Sequence, residues 1–413
     1  MTHFDPVLSR RHLLRHAASA SLAGCLLPSF ALRRAGATTG PNRVLVCLFQ
    51  RGAVDGLNMV VPYREPAYYS RRPSIAVPPP NQGGAIDLDG TFALHPALSA
   101  LHPYFVRGEL AVVHACGSTD PTRSHFDAQE YMENGTPGDK TTSDGWLSRH
   151  LQTTSVSPES VFRAVALQNT LPLALAGNAR AIATKNLEGL AIGRGRRAHT
   201  VRAAIETMFT NRTDLLGSTV ADALDAVDVA ADIAALPPDH GAEYPGQGLG
   251  PAMQDVARLI KSDVGLEIAF VDVGGWDTHT AQGGATGTLA NLLGGLADAL
   301  AEFRTDLGDR FADVCVVTLS EFGLTVAENG SGGTDHGHGT AMLVHGGTVR
   351  GGRVYGDFPG LDAVDLYEGR DLAVTTDFRL LLAELVAGHL GNDRIGEVFP
   401  GFDYDPAQAL GIV

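Results

Sequence analysis

Short apolar runs alternate with helical stretches along most of the chain. The runs VLVCLF (44–49), LAVVHAC (110–116), FRAVAL (162–167), EIAFVDV (267–273), DVCVVTL (313–319) and AMLVHG (341–346) are nearly continuous, which predicts strands buried on both faces. Helical periodicity lies between them, around 95–107, 124–134, 200–235, 251–262, 286–307 and 377–390. This order predicts an α/β fold: a mainly parallel central sheet with helices on both faces. The Pro- and Gly-rich stretch 235–250 reads as a surface excursion, so residues 38–413 are expected to form one domain. Isolated histidines at 95, 102, 150 and 389 fall on helical patterns and read as structural.

In open α/β sheets, ligands bind beyond the carboxyl ends of the strands. The most distinctive polar segments stand there. QRGAVDGLN (50–58) follows the first run, GSTDPTRSHFDAQ (117–129) the second, GGWDTHTAQ (274–282) the fourth and SEFG (320–323) the fifth. GGTDHGHGT (332–340) comes soon after and leads into the sixth. Asp277 and His279 are two apart, as are His336 and His338, so in extended backbone each pair projects to one side. Asp335 adjoins the second pair, and Asp55 and Glu321 add carboxylates. Imidazole and carboxylate together suit zinc, manganese or iron, and suit calcium poorly. The structural alternatives are an N-cap at Asp277 or Thr278 and a merely polar loop at 332–340. Ser124 with Asp127 matches a capping box. In a functional role, Ser124 is a hydroxyl nucleophile at a helix start, beside Arg123 and His125, where free N–H groups favour an anionic substrate.

The N-terminus reads as an address. SRRHLLRHAASASLAG sets Arg10 and Arg11 before a short apolar stretch and resembles a twin-arginine export signal. Arg15, His16 and Pro28 break that stretch, which is too poor to span a membrane. AGA (35–37) fits a cleavage site, making residues 1–37 the signal. LAGC, ending at Cys25, also resembles a lipoprotein box, but the apolar LLPSFAL after it argues against acylation. The expected partner is the twin-arginine export machinery and the expected location periplasmic or extracellular. A net charge of -15 argues against nucleic acid and anionic membrane surfaces as partners. Cys47, Cys116 and Cys315 lie in or at the ends of apolar runs with no CxxC spacing, so buried thiols are expected rather than disulfides or a thiolate zinc site.

The segments LVCLFQRGAVDGLNMVVPY, RSHFDAQEYMENG, GWLSRHL, GGWDTHTAQ and SEFGLTVAENGSGGTDHGHGTAMLVHGG also carry a family likeness. They resemble the exported bacterial family called domain of unknown function 1501, from about Arg43 to about Gly391. That family in turn resembles the alkaline phosphatase superfamily, which includes sulfatases, phosphodiesterases and cofactor-independent phosphoglycerate mutases. The resemblance implies an α/β sandwich with metals at the strand ends. It implies that Asp55 is the first-strand metal ligand, and that Asp277 and His279 stand for an Asp-x-x-x-His pair at shorter spacing. His336 or His338 would be the late histidine ligand. At SEFG most phosphatase relatives have adjacent Asp-His, whereas this chain has Glu321 and Phe322, and phenylalanine cannot bind a metal. A two-metal site would need the second histidine of DHGH as the replacement. TDPTR (119–123) resembles the sulfatase Cys/Ser-x-Pro-Ser-Arg motif, with Thr119 at the nucleophile position. Ser124 is preferred because it opens a helix, Thr119 is second, and Arg123 would orient an anionic group bidentately.

The function expected is an exported hydrolase of phosphate or sulfate esters, small or polymeric, dependent on a divalent metal ion, zinc or manganese. Ser124, Thr119, Arg123 and Glu321 are its candidate catalytic residues. Asp55, Asp277, His279, Asp335, His336 and His338 are its candidate metal ligands, with Glu321 as a ligand or as the acceptor behind one. The competing expectation is a non-catalytic exported binding or assembly protein on the same fold. The lost Asp-His at SEFG favours it, and the retained histidines and acids stand against it.

Overall fold

A computed structural model describes residues 43–154, 160–190, 196–209, 212 and 214–413. The export segment 1–37 and Cys25 lie outside the described residues. The strands are β1 (Val44–Arg51), β2 (Val60–Val61), β3 (Ile86–Asp87), β4 (Ala93–Leu94), β5 (Leu110–Gly117) and β6 (Ala164–Ala166). They continue with β7 (Ile182–Ala183), β8 (Ile268–Gly274), β9 (Val314–Leu319), β10 (Thr340–Gly346), β11 (Val354–Tyr355) and β12 (Thr376–Asp377). Each of the six apolar runs became a strand. The main sheet runs β11-β5-β10-β9-β1-β8-β6-β7, with β12 also on β5, while β2, β3 and β4 form a small separate sheet.

All pairings in the main sheet are parallel except the two made by β10, which is antiparallel to both β5 and β9. The prediction of a mainly parallel sheet thus meets one reversed strand. Its reversal has a positional consequence. The parallel strands end at Arg51, Gly117, Gly274 and Leu319 on one edge, and β10 begins at Thr340 on that same edge, opposite Cys116. The loop 332–339 therefore arrives where the other four loops depart.

Alternate residues of each long strand feed two cores, as period-two side-chain placement requires. Val44, Val46 and Leu48 of β1 pack into one, and Leu45, Cys47 and Phe49 into the other. The larger helices are α1 (His125–Asn134), α2 (Trp146–Thr153), α3 (Arg196–Phe209), α4 (Leu215–Ala234), α5 (Gly250–Lys261), α6 (Thr288–Leu307) and α7 (Phe378–Glu384). Residues of α4, α5 and α6 fill the first core, and residues of α1, α2 and α7 the second, so helices cover both faces. The single helix expected over 200–235 is two, because Asp214 accepts from Gly217 N and starts a new one. The cysteines at 47, 116 and 315 are buried free thiols. Buried histidines 95, 150 and 389 bind Gly284 O, Glu267 and Val44 O respectively, which is structural work.

Candidate metal centre

The loop after β8 is anchored by Trp276, fully buried, whose indole N–H donates to Val273 O at 2.9 Å. Asp277 is thereby presented at the sheet edge. It caps no helix: the next one starts at Thr288 after Gly287. Three imidazole Nε2 atoms gather around its carboxylate. His279 Nε2 lies 2.9 Å and His336 Nε2 3.4 Å from Oδ1, and His125 Nε2 lies 3.5 Å from Oδ2. The two nitrogens of His279 and His336 are themselves 3.0 Å apart. Ligand atoms of His125, Asp277 and His336 all fall within 4.8 Å of one another.

Each ring is held from behind at Nδ1. His279 Nδ1 faces Thr334 O at 2.6 Å and His336 Nδ1 faces Arg123 O at 2.9 Å. A carbonyl only accepts, so both Nδ1 atoms must donate. His125 Nδ1 donates to Glu321 Oε1 at 2.8 Å. In the neutral rings every Nε2 is then a bare lone pair turned toward Asp277. Two lone pairs 3.0 Å apart repel unless a proton or a cation lies between them. Ligands about 2.1 Å from one ion sit roughly 3.0–3.4 Å apart at octahedral to tetrahedral angles, close to the 2.9–3.4 Å that separate Asp277 Oδ1 and the Nε2 atoms of His279 and His336. The donor set fits a metal ion.

Glu321 follows β9 and is fully buried. Its Oε1 also accepts from Gln129 Nε2 at 2.8 Å and from Gly52 N at 2.9 Å. Burial pushes its pKa up, but the bonds from His125, Gln129 and Gly52 outweigh that and hold it below the usual carboxylate range. The same Glu321 bond raises the His125 pKa against the opposing effect of burial. Phe322 lies against the His125 ring at 5.1 Å and the His336 ring at 5.0 Å. Gly52, at φ +113°, is required here, since a Cβ would come within 2.7 Å of Asp277 N. Gly333 permits the other close approach: a Cβ there would meet Thr278 O at 2.3 Å.

The remaining predicted residues sit elsewhere or do other work. Asp55 is buried, paired with buried Arg72 at 2.6 Å, and also accepts from Gln282 Nε2 at 2.6 Å and Asn58 N at 3.2 Å. Its carboxylate is neutralised by an arginine instead of joining the cluster. His338 is buried with its ring 4.6 Å from that of Tyr367, and burial lowers its pKa. His336 bridges Leu324 in antiparallel fashion, but the pairing is irregular beyond it: Gly337 donates to Gly323 O, Gly323 N donates to His338 O, and a bend falls at His338, so His336 and His338 part company. Asp335 is exposed, 3.9 Å from His279 Nδ1 and bonded by Asn329 Nδ2 at 3.1 Å. Arg123 is held by Asp371 Oδ2, at 2.6 and 3.0 Å, and by Glu368 at 2.7 Å. Ser124 is the N-cap residue of α1, yet its side chain makes no cap hydrogen bond, and Asp127 pairs with Lys140 instead of closing a capping box. Thr119 is exposed in the loop after β5.

The unforeseen member is His125. Its signal was its place: it opens a helix at the end of the polar segment that follows β5, one of the loops already assigned to this edge.

The family model described as protein of unknown function (DUF1501) matches residues 42–395. No curated protein matches the chain. A solved structure similar to it is the lipoteichoic acid synthase LtaP from Listeria monocytogenes, at 9% identity and a TM-score of 0.31, covering 74% of this chain. The match takes in 65% of that synthase's chain.

Proposed function

We propose, for a chain that belongs to the DUF1501 family, that this site is a divalent-metal centre and that the protein hydrolyses phosphate or sulfate esters. The observation that carries the reading is the convergence of three backed Nε2 atoms on the Asp277 carboxylate. Nitrogen and carboxylate donors in that number suit zinc or manganese. A bound ion would supply a Lewis acid, drawing charge from the ester oxygen and favouring a deprotonated nucleophile.

The chain's own residues supply position. Asp277 and His279 are each 39% exposed, so the cluster opens to solvent and a substrate has access. Ser124 lies between two residues tied to the cluster: Arg123 through its carbonyl on His336, and His125 through its ring. Its hydroxyl, free of a cap bond, is the favoured nucleophile, with Thr119 second. The nucleophile oxygen forms the bond to phosphorus or sulfur while the ester oxygen departs with a proton; after attack by Ser124, water must then release the acid. For Arg123 to hold the anion, its exposed partner Glu368 must give way while buried Asp371 keeps the guanidinium in place.

The test is a panel of aryl phosphate monoesters, phosphate diesters and sulfates, offered to chelated protein resupplied with zinc or manganese. Hydrolysis restored by metal, and lost in Asp277→Ala, is the expected result. Protein that binds metal but hydrolyses none of them would instead support a non-catalytic binding role.

A further inference from the structure

Resting on the metal reading above, we propose that the centre takes one ion rather than two, and that Glu321 is the positioning residue that makes His125 a ligand. A second ion needs a second donor set, and the groups predicted for one are engaged elsewhere. Arg72 holds Asp55 in a pair whose side chains are 0% and 1% exposed. His338 lies buried beside Tyr367. His279 has already committed Nδ1 to Thr334 O, so Asp335 reaches a ring whose only lone pair faces Asp277. After Glu321 stands Phe322, 2% exposed, which gives the His125 and His336 rings an apolar wall and no donor atom.

Glu321 itself points its bonding at the protein. Its Oε1 takes hydrogen bonds from Gly52, Gln129 and His125, tying the loop after β1, the helix α1 and the end of β9 together. The bond to His125 fixes the tautomer and turns Nε2 outward. A carboxylate behind a histidine also makes it a stronger ligand. Its Oε2 is buried without a hydrogen-bond partner, which defines the rival arrangement: Glu321 binding an ion directly.

Cobalt(II) titration of full-length, chelator-treated protein separates these, with stoichiometry from elemental analysis and geometry from the visible absorption band. The wild type should bind one cobalt ion per chain. Glu321→Ala should weaken affinity about 10- to 100-fold and change the band, with Glu321→Gln, which keeps an acceptor oxygen, lying between. In a His125→Ala background, Glu321→Ala should leave the affinity unchanged, because its effect passes through that ring. Two ions per chain, or additive losses in the double variant, would overturn the inference while leaving a metal centre standing. A wild type that takes up no cobalt, zinc or manganese would remove the metal reading and this inference together. Near-ultraviolet circular dichroism checks that each variant is folded, and Glu321→Gln carries the comparison if Glu321→Ala is not.

Discussion

Replacing Arg72 by methionine should be among the most damaging single changes outside the cluster. Arg72 is fully buried and donates Nη1 to Asp55 at 2.6 Å and Asn58 at 2.7 Å, Nε to Val326 O at 2.8 Å and Nη2 to Thr325 O at 2.8 Å. Methionine keeps much of the apolar stem and removes every donor. Asp55 is then a buried carboxylate left with Gln282 and Asn58 N, and two buried carbonyls lose a partner. Removing one member of a buried ion pair costs about 3–5 kcal/mol. A domain's whole stability is about 5–15 kcal/mol, so the variant should stand near the limit of folding. Urea unfolding followed by tryptophan fluorescence is a suitable assay, because buried Trp276 and Trp146 lie one in each core. Asp55→Asn should cost less in the Arg72→Met background than alone, with a coupling of about 1–3 kcal/mol. A loss below about 1 kcal/mol for Arg72→Met, or strict additivity with Asp55→Asn, would refute the view that this pair is a structural brace. The brace also reaches the site. Thr325, whose carbonyl Arg72 holds, exchanges hydrogen bonds with Asp335 beside His336.

Elemental analysis of protein purified without chelators should find metal lowered in His279→Ala and unchanged in His338→Ala; equal content in all forms would remove His279 from the ligand set. Burial pushes His114, His345 and His389 from 6.5 down to about 4, so each is neutral in the fold and charges on unfolding. Their contribution is complete above about pH 6.5 and is lost as pH falls toward 4, at roughly 1.4 kcal/mol per pH unit per group. The urea midpoint should therefore drop between pH 7 and pH 5, and a level or rising midpoint would contradict this. We also propose export by the twin-arginine route: Arg10→Lys with Arg11→Lys should hold the precursor in the cytoplasm. Mass spectrometry of the exported form should give an N-terminus near Thr38, and an acylated Cys25 there would show the lipoprotein alternative to be right.

Strand positions were legible because buried strands leave continuous apolar runs, whatever the direction in which they pair. Direction was not legible for β10, since antiparallel Thr340–Gly346 is as apolar as its parallel neighbours. The sheet edge pointed to Asp277, His279 and His336 because loops that leave strand ends carry few reasons other than chemistry to gather histidines. His125 was passed over because a histidine at a helix start has no periodicity to mark it. Asp55 shows the opposite limit. Its place after the first strand suited a ligand, but its partner Arg72 belongs to another loop, and only folding brings the two together. For His338, alternation assumed regular extended backbone, and the bend at His338, where Gly323 bonds to both Gly337 and His338, removed that premise.

The sheet order has a consequence for how this chain comes to be folded. β1 is made first among the described strands, yet its two neighbours are β8 and β9, which begin at Ile268 and Val314. During synthesis it waits, apolar on both faces and unpaired along both edges, until well over half of the chain exists. The loops that must close before those pairings form are long, and parallel, non-local pairing is slow to begin. An N-terminal fragment ending near residue 260 would hold β1 with neither neighbour. Such fragments should be sticky and should aggregate in place of folding, which makes premature termination and slow translation hazards particular to this topology.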